Sequence, residues 1–293
     1  MIGQAEKGEL FRSLHHRDHA FIMPNPWDAG SARILASMGF EALATTSMGH
    51  AFSLGLRDYA LGRQRTLDYA KNIASATHLP VSADLENCFG DKPEAVVETI
   101  KLAAATGIVG GSVEDYTGRS DNPIYDIDFA AERVRAAARM AHSLPFTFTL
   151  TARAENYLHG RSDLDDTIKR LQAYQDSGAD VLYAPGLTTR NEILAVVKSV
   201  KRPVNVIMGR KGGVPLSLAE LSSIGVKRIS VGSALARTAL GTLTRAAREM
   251  KDKGTFTWAN EAVDPKDMNA IFPEQPNSVI TKPLTKQGNS TDR

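Results

Sequence analysis

The chain has 293 residues, of which 42% are hydrophobic and 23% charged, with a formal net charge of +2. That length suits one large domain or two small ones. Neither a basic block nor aromatic–basic interleaving is present, so nucleic acid is not an expected partner. The apolar runs are too short to span a bilayer. A single cysteine, Cys88, excludes an intrachain disulfide framework. Residues 1–17 carry no apolar core of a signal peptide, and a cytoplasmic enzyme or binding protein is expected.

In chain order, the residues before Ala20 read as a capping helix. Strand candidates follow at 20–24, 42–47, 81–86, 110–115, 146–155, 181–185, 204–208 and 228–232. Helical periodicity fills 66–77, 93–105, 128–142, 164–177, 191–199 and 216–224. Ser162 or Asp163 caps the fourth of these helices. Gly39, Gly107, Gly178 and Gly225 each stand just past a helix and just before a strand. Eight β/α units in about 230 residues predict a (β/α)8 TIM-type barrel. A doubly wound sheet is the alternative, but Asn25-Pro26-Trp27-Asp28 is not the Gly-rich turn it would carry after its first strand. A long helical pattern runs over 234–253. The expected division is a barrel domain over 1–255 including the N-terminal helix, an extension over 256–275, and a polar, disordered tail over 276–293.

Barrel active sites lie at the C-terminal strand ends. Those ends offer Asn25 and Asp28, then Thr45, Thr46 and Ser47 with His50 beyond, then Asp84 and Glu86, then Glu114 and Asp115. Arg153 and Glu155 follow on strand five, Tyr183 on strand six, Asn205 on strand seven, Ser230 and Ser233 on strand eight. In an extended strand Ser82, Asp84 and Glu86 share one face. Two adjacent carboxylates resist burial unless a cation or a shared proton compensates. With Glu114 from the next strand, this all-oxygen set suits Mg²⁺ or Mn²⁺ rather than Zn²⁺. Arg153 either pairs internally with Glu155 or Glu114, or clamps a substrate carboxylate. No strand ends in lysine, which argues against a Schiff-base aldolase. No G-x-S-x-G elbow is present for a serine hydrolase. Cys88 and Trp27 read as packing residues, and His50 is at least as well explained as structural.

The ordered motifs Asn25-Pro26-Trp27-Asp28-Ala29-Gly30-Ser31-Ala32-Arg33, Gly55-Leu56-Arg57-Asp58, Ala83-Asp84-Leu85-Glu86, Val113-Glu114-Asp115 and Thr151-Ala152-Arg153-Ala154-Glu155 resemble the isocitrate lyase / phosphoenolpyruvate mutase superfamily. The resemblance extends from about residue 21 to 250. It implies a Mg²⁺-dependent barrel, assembled as a dimer or tetramer with a swapped last helix. Such enzymes make or break C–C or C–P bonds of small 2-oxo or 2-hydroxy acids through a metal-stabilised enolate. It places the direct metal ligand on Asp84 and water-mediated carboxylates on Asp58, Glu86 and Glu114. Arg153 becomes the carboxylate clamp and Thr45 to Ser47 the substrate loop; Asn205, by its strand position alone, faces the barrel interior as either a core or a substrate-binding residue.

The chain departs from the lyases of that superfamily after strand four. Their Lys-Lys/Arg-Cys-Gly-His loop is replaced by Tyr116-Thr117-Gly118-Arg119-Ser120-Asp121-Asn122-Pro123, which holds no cysteine, lysine or histidine. Tyr116 is left as a proton donor, and Asn122 matches the asparagine of phosphonopyruvate-type members. The expected activity is carbon–carbon cleavage of a small di- or tricarboxylate. Phosphonopyruvate hydrolase or mutase chemistry and a non-catalytic 2-oxo-acid-binding role are the alternatives.

Overall fold

The computed structural model describes residues 2–210, 213 and 215–272. Lys211 and the tail over 276–293 lie outside the described residues. Helix α1 (Gln4–His15) precedes eight strands: β1 (Phe21–Met23), β2 (Leu43–Ala44), β3 (Val81–Ala83), β4 (Gly110–Glu114), β5 (Thr149–Arg153), β6 (Val181–Tyr183), β7 (Val204–Ile207) and β8 (Arg228–Ser230). All pair in parallel, in the order β1-β8-β7-β6-β5-β4-β3-β2, and make a nearly closed (β/α)8 barrel. The strands are shorter than the apolar runs that forecast them.

The intervening helices are α2 (Ala29–Ser37), α3 (Ser47–Ser53), α4 (Gly62–Ala76), α5 (Pro93–Ala104), α6 (Ile127–His142), α7 (Leu164–Asp176), α8 (Arg190–Ser199) and α9 (Leu218–Ser223). The four forecast helix-stop glycines all adopt positive φ, between 86° and 102°, where a side chain is strained. Periodicity does not forecast helices α2 and α3. Asp28, taken from the sequence as a strand-end residue, is instead the N-cap of α2: its Oδ1 accepts from Ser31 N–H at 2.6 Å, and Ser31 Oγ accepts back from Asp28 N–H.

Between β1 and β2 the barrel is closed by one backbone bond, Ala44 N–H to Pro24 O at 3.1 Å. Asn25 reinforces that seam. Its Nδ2 donates to Thr45 O, and its Oδ1 accepts from the N–H groups of Val231 and Gly232, each at 2.9 Å. One side chain thus ties the ends of β1, β2 and β8.

The main apolar cluster lies between the sheet and its helices, with Leu43, Ile73, Ile100, Leu150 and Leu171 fully buried. A second cluster, built on Phe11, Leu14, Phe21, Met23 and Val109, fills the N-terminal end of the barrel under α1. Helix α1 is anchored by Gln4 Nε2, which donates to Ala104 O and Ile108 O at 2.8 Å. It approaches so closely that a Cβ at Gly8 would stand 2.3 Å from Thr147 O.

Beyond the barrel, α10 (Ala234–Lys253) is followed by a 3-10 turn (Thr257–Glu261) and α11 (Pro265–Ile271). Of the 20 residues of α10 only Ala236 is buried, and Leu240, Leu243 and Met250 are exposed. No described helix is long and apolar enough to cross a membrane.

Candidate active site

A cavity of about 380 Å³ opens at the C-terminal ends of the strands. Asp58, Asp84, Glu114, Arg153, Thr45, Thr46, Ser47 and Asn205 line it. A larger hollow of about 700 Å³ lies at the opposite end beside α1. That end holds no cluster of carboxylates, and barrel chemistry belongs at the strand ends.

Arg153, at the end of β5, organises the upper part of the cavity. Its Nη1 reaches Asp84 Oδ1 at 2.8 Å and Glu114 Oε2 at 3.2 Å. Its Nη2 and Nε hold Glu155 Oε1 at 2.7 and 2.9 Å. The other oxygen of Asp84 accepts from Ser47, from Oγ at 2.9 Å and from N–H at 3.3 Å. Asp84 N–H in turn donates to Thr45 Oγ1 at 2.9 Å, which docks the 45–47 loop onto the end of β3. The two readings left open for Arg153 therefore meet: it pairs internally, and it does so where it lines the cavity.

Glu86 does not continue the alternation of its strand. Strand β3 ends at Ala83, and Glu86 turns into the left-handed region at φ 50°, as do Cys88 and Phe89 after it at 60° and 59°. Such angles are costly for residues with side chains. Buried Arg133 supports this turn by donating to the carbonyls of Asn87, Gly90, Asp91 and Glu114. Glu86 is 5% exposed and does not line the cavity wall. Burial, then the charges of Asp84 and Asp58, push its carboxyl up to about 8. Burial likewise raises Glu114 and Glu155 against the pull of Arg153, and raises Asp58.

Asp115 faces the other way. It accepts from Glu155 N–H, Tyr174 Oη and Arg170 Nη1, binding β4 to β5 and α7 behind the sheet. Cys88 is fully buried, and burial pushes its thiol up to about 12, as suits a packing residue. His50 stacks on Tyr69 at 3.9 Å and bonds Trp27 O through Nδ1. Tyr116 does not line the cavity itself but stacks at 3.8 Å on His159, which does. Asn122 is exposed and does not line the cavity, although its carbonyl accepts from Thr117 Oγ1.

His159, Tyr59 and Arg228 are among the residues that the fold brings to this cavity and the sequence alone does not single out. His159 sits in a 3-10 turn (Asn156–His159) beyond β5, with Nε2 buried, unpaired and 3.9 Å from Glu155 Oε2. Burial and Arg153 lower its pKa, which favours the neutral ring. Tyr59 comes from the loop before α4 and packs 4.9 Å from Tyr116. Arg228, the first residue of β8, forms part of the floor. Only strand alternation, which sets Arg228 on the same face as Ser230, pointed inward for it.

Residues 11–251 match the model of the phosphoenolpyruvate phosphomutase family. The chain belongs to the phosphoenolpyruvate mutase / isocitrate lyase superfamily. It is 60% identical to a lyase/mutase-like protein of Burkholderia cenocepacia whose crystal structure it matches with a TM-score of 0.91, over 94% of this chain and 99% of that one. It is 32% identical over 249 residues to an uncharacterized protein of Mycobacterium tuberculosis, across 83% of this chain and 89% of that one. The 2-methylisocitrate lyase of Halalkalibacterium halodurans is 25% identical over 260 residues, covering 86% and 84%. The superfamily includes carbon–carbon lyases, that 2-methylisocitrate lyase among them.

The donor set fits a hard divalent cation. Asp58, Asp84, Glu86, Glu114 and Glu155 present five carboxyl groups to the single guanidinium of Arg153. Glu86 Oε1 and Glu114 Oε1 are buried without a hydrogen-bond partner. Unpaired buried carboxylate oxygens call for a proton or a cation with its waters. Among the described residues, no three His, Cys, Asp or Glu side chains are gathered into a ready-made cage. That spacing suits an ion held by few direct protein ligands and several waters, as Mg²⁺ prefers.

Proposed function

We propose that this cavity binds Mg²⁺ or Mn²⁺ together with a small 2-oxo or 2-hydroxy di- or tricarboxylate, and that the enzyme cleaves the carbon–carbon bond beside the oxygenated carbon. The excess of buried carboxylates around one arginine carries this reading. Asp84 is the direct ligand, and Glu86, Glu114 and Asp58 order the water. The cation would supply Lewis acidity at the 2-oxygen, drawing off the charge that develops when the bond breaks.

The residues of the chain do the rest. Arg153 releases Asp84 and offers Nη1 to the substrate carboxylate, while Glu155 keeps the guanidinium plane fixed. Ser47, freed from Asp84 by the same exchange, turns its N–H and Oγ–H toward that carboxylate, with Thr45 and Thr46 shaping the loop. Asn205 donates from the wall. Tyr116, turned off its stack on His159 and into hydrogen-bond reach of the substrate, would supply the proton in place of the missing loop cysteine. The loop bearing Asn122 closes over the substrate. A second copy of the chain covers the exposed apolar residues of α10 in a dimer or tetramer. A monomer in sedimentation velocity would remove that last element alone.

The absence of an acidic thiol after β4, together with Asn122, favours C–P chemistry as the second reading. Purified enzyme with Mg²⁺ should be incubated with oxaloacetate, methylisocitrate, dimethylmalate and phosphonopyruvate, and products followed by proton and phosphorus NMR. A 2-oxo acid product and a second carbon fragment are expected. Phosphate release would replace the first reading with the second. Binding without turnover across the panel would refute both.

A further inference from the structure

Arg228 is an unusual arginine. It is 3% exposed, sits inside the barrel at the start of β8, and no carboxylate among the described residues pairs with it. Its partners are all neutral. Nε donates to Asn205 Oδ1 and Nη2 to Thr151 Oγ1, each at 2.9 Å, and Nη1 points at His15 Nε2 at 3.4 Å. His15 belongs to α1, so the contact crosses from the N-terminal plug into the barrel. Its Nδ1 lies 2.8 Å from Phe11 O, an acceptor only. Nδ1 therefore carries the hydrogen, and Nε2 is left as an acceptor for Arg228.

The polarity continues upward. Because Arg228 Nε can only donate, Asn205 must turn Oδ1 to it. Asn205 Nδ2 then donates to Ser230 Oγ at 3.0 Å and keeps one amide hydrogen uncommitted. Asn205, Ser230, Thr151 and Arg228 all line the cavity. A buried charge without a counter-ion is costly. Burial pulls the Arg228 guanidinium down to about 9, with Arg153 adding to the fall, yet at neutral pH the cation persists.

We propose that Arg228 is a positioning residue that holds the cavity floor at positive potential for an anionic ligand carrying at least two carboxylates, and locks the Asn205 amide with its donor turned toward that ligand. The missing counter-ion is the ligand itself. The inference rests on the carboxylate-binding reading above, and adds that the charge of the substrate is recognised from below as well as from the rim.

Oxalate, with two adjacent carboxylates, is the probe. Its binding to the full chain with saturating Mg²⁺ should be measured by calorimetry for the parent, Arg228→Met and Arg228→Lys, alongside Mg²⁺ affinity and melting temperature. Arg228→Met should bind oxalate at least about tenfold more weakly, because the field of the desolvated charge and the fixed Asn205 donor are both lost. Its Mg²⁺ affinity and its melting temperature should each be equal or higher, since an unpaired buried positive charge has gone. Arg228→Lys, which keeps the charge but not the fork, should lose about threefold or more. It also stands as the test should the methionine variant not fold. A lower melting temperature with parental oxalate affinity would show a merely structural role and overturn the proposal, as would parental affinity in both variants. A parent that binds no oxalate would overturn the carboxylate reading of the cavity, and this inference with it.

Discussion

The rim and the floor of the cavity each hold a buried arginine, and their surroundings are opposite. Arg153 touches three carboxylates within 3.2 Å, whereas Arg228 touches an amide, a hydroxyl and a neutral imidazole. Negative charge is in excess at the rim and absent at the floor. A rim of that kind recruits a cation, and a floor of that kind recruits an anion. A carboxylate substrate chelating a divalent ion satisfies both at once. The two arginines are therefore not interchangeable reserves of positive charge: one organises acids, the other waits for one.

The sharpest way to break this contrast is at the rim. Asp84→Ala, or exhaustive chelation of the parent, should lower turnover by about a thousandfold or more, since loss of one preorganised electrostatic group at a reacting centre already costs on the order of a hundred- to a thousandfold. Calorimetry should show Mg²⁺ binding lost in the same variant. Undiminished Mg²⁺ affinity would move the metal off Asp84. Arg153→Lys comes next. It keeps the charge but cannot grip Glu155 with two nitrogens while presenting a third, so kcat/KM should fall about a hundredfold with the melting temperature little changed. A change in KM alone would assign Arg153 to simple binding.

The floor yields the most diagnostic effect, one on stability rather than turnover, through His15. Burial and the neighbouring Arg228 hold this imidazole down to about 3, against 6.5 when free. The unfolded chain therefore binds a proton that the folded chain refuses. The contribution to stability is complete above pH 6.5 and is lost as the pH falls toward 3. At about 1.4 kcal/mol per unit, the loss reaches several kcal/mol across that window. Urea titrations between pH 4 and 7 should show it. His15→Phe should flatten this part of the profile, and an unchanged slope would dissociate His15 from the floor.

Much of the barrel was legible because its signals are local and repeated: short apolar runs, helical periodicity, and glycines at left-handed helix ends. The rim was half legible. Asp84, Glu114 and Arg153 occupy strand ends in the register that alternation predicts. Glu86 breaks that register because β3 stops at Ala83 and the chain turns left-handed, a conformation nothing in Leu-Glu-Asn-Cys announces. The floor was legible only as residues: Asn205 and Ser230 stand at strand ends, but the contacts that link them to Arg228 do not show. An arginine within a strand gives no hint that its partners will come from residues 15, 151 and 205, all far apart in sequence. His159 escaped for a related reason: it lies past the strand end, and a single turn of 3-10 helix carries it back over the cavity.

Asn25 has a consequence for how the barrel breathes. Where β1 meets β2 a single backbone hydrogen bond, from Ala44 N–H to Pro24 O, spans the seam, and the Asn25 side chain supplies the stitches on both flanks. Local opening begins where few bonds must break together. The amide of Ala44 should therefore exchange with deuterium earlier than its counterparts in β4 and β5, whose ladder pairs five residues on each side. The substrate loop at Thr45 hangs directly from this seam, so the part of the cylinder that opens most easily is also the part that must adjust when a ligand arrives.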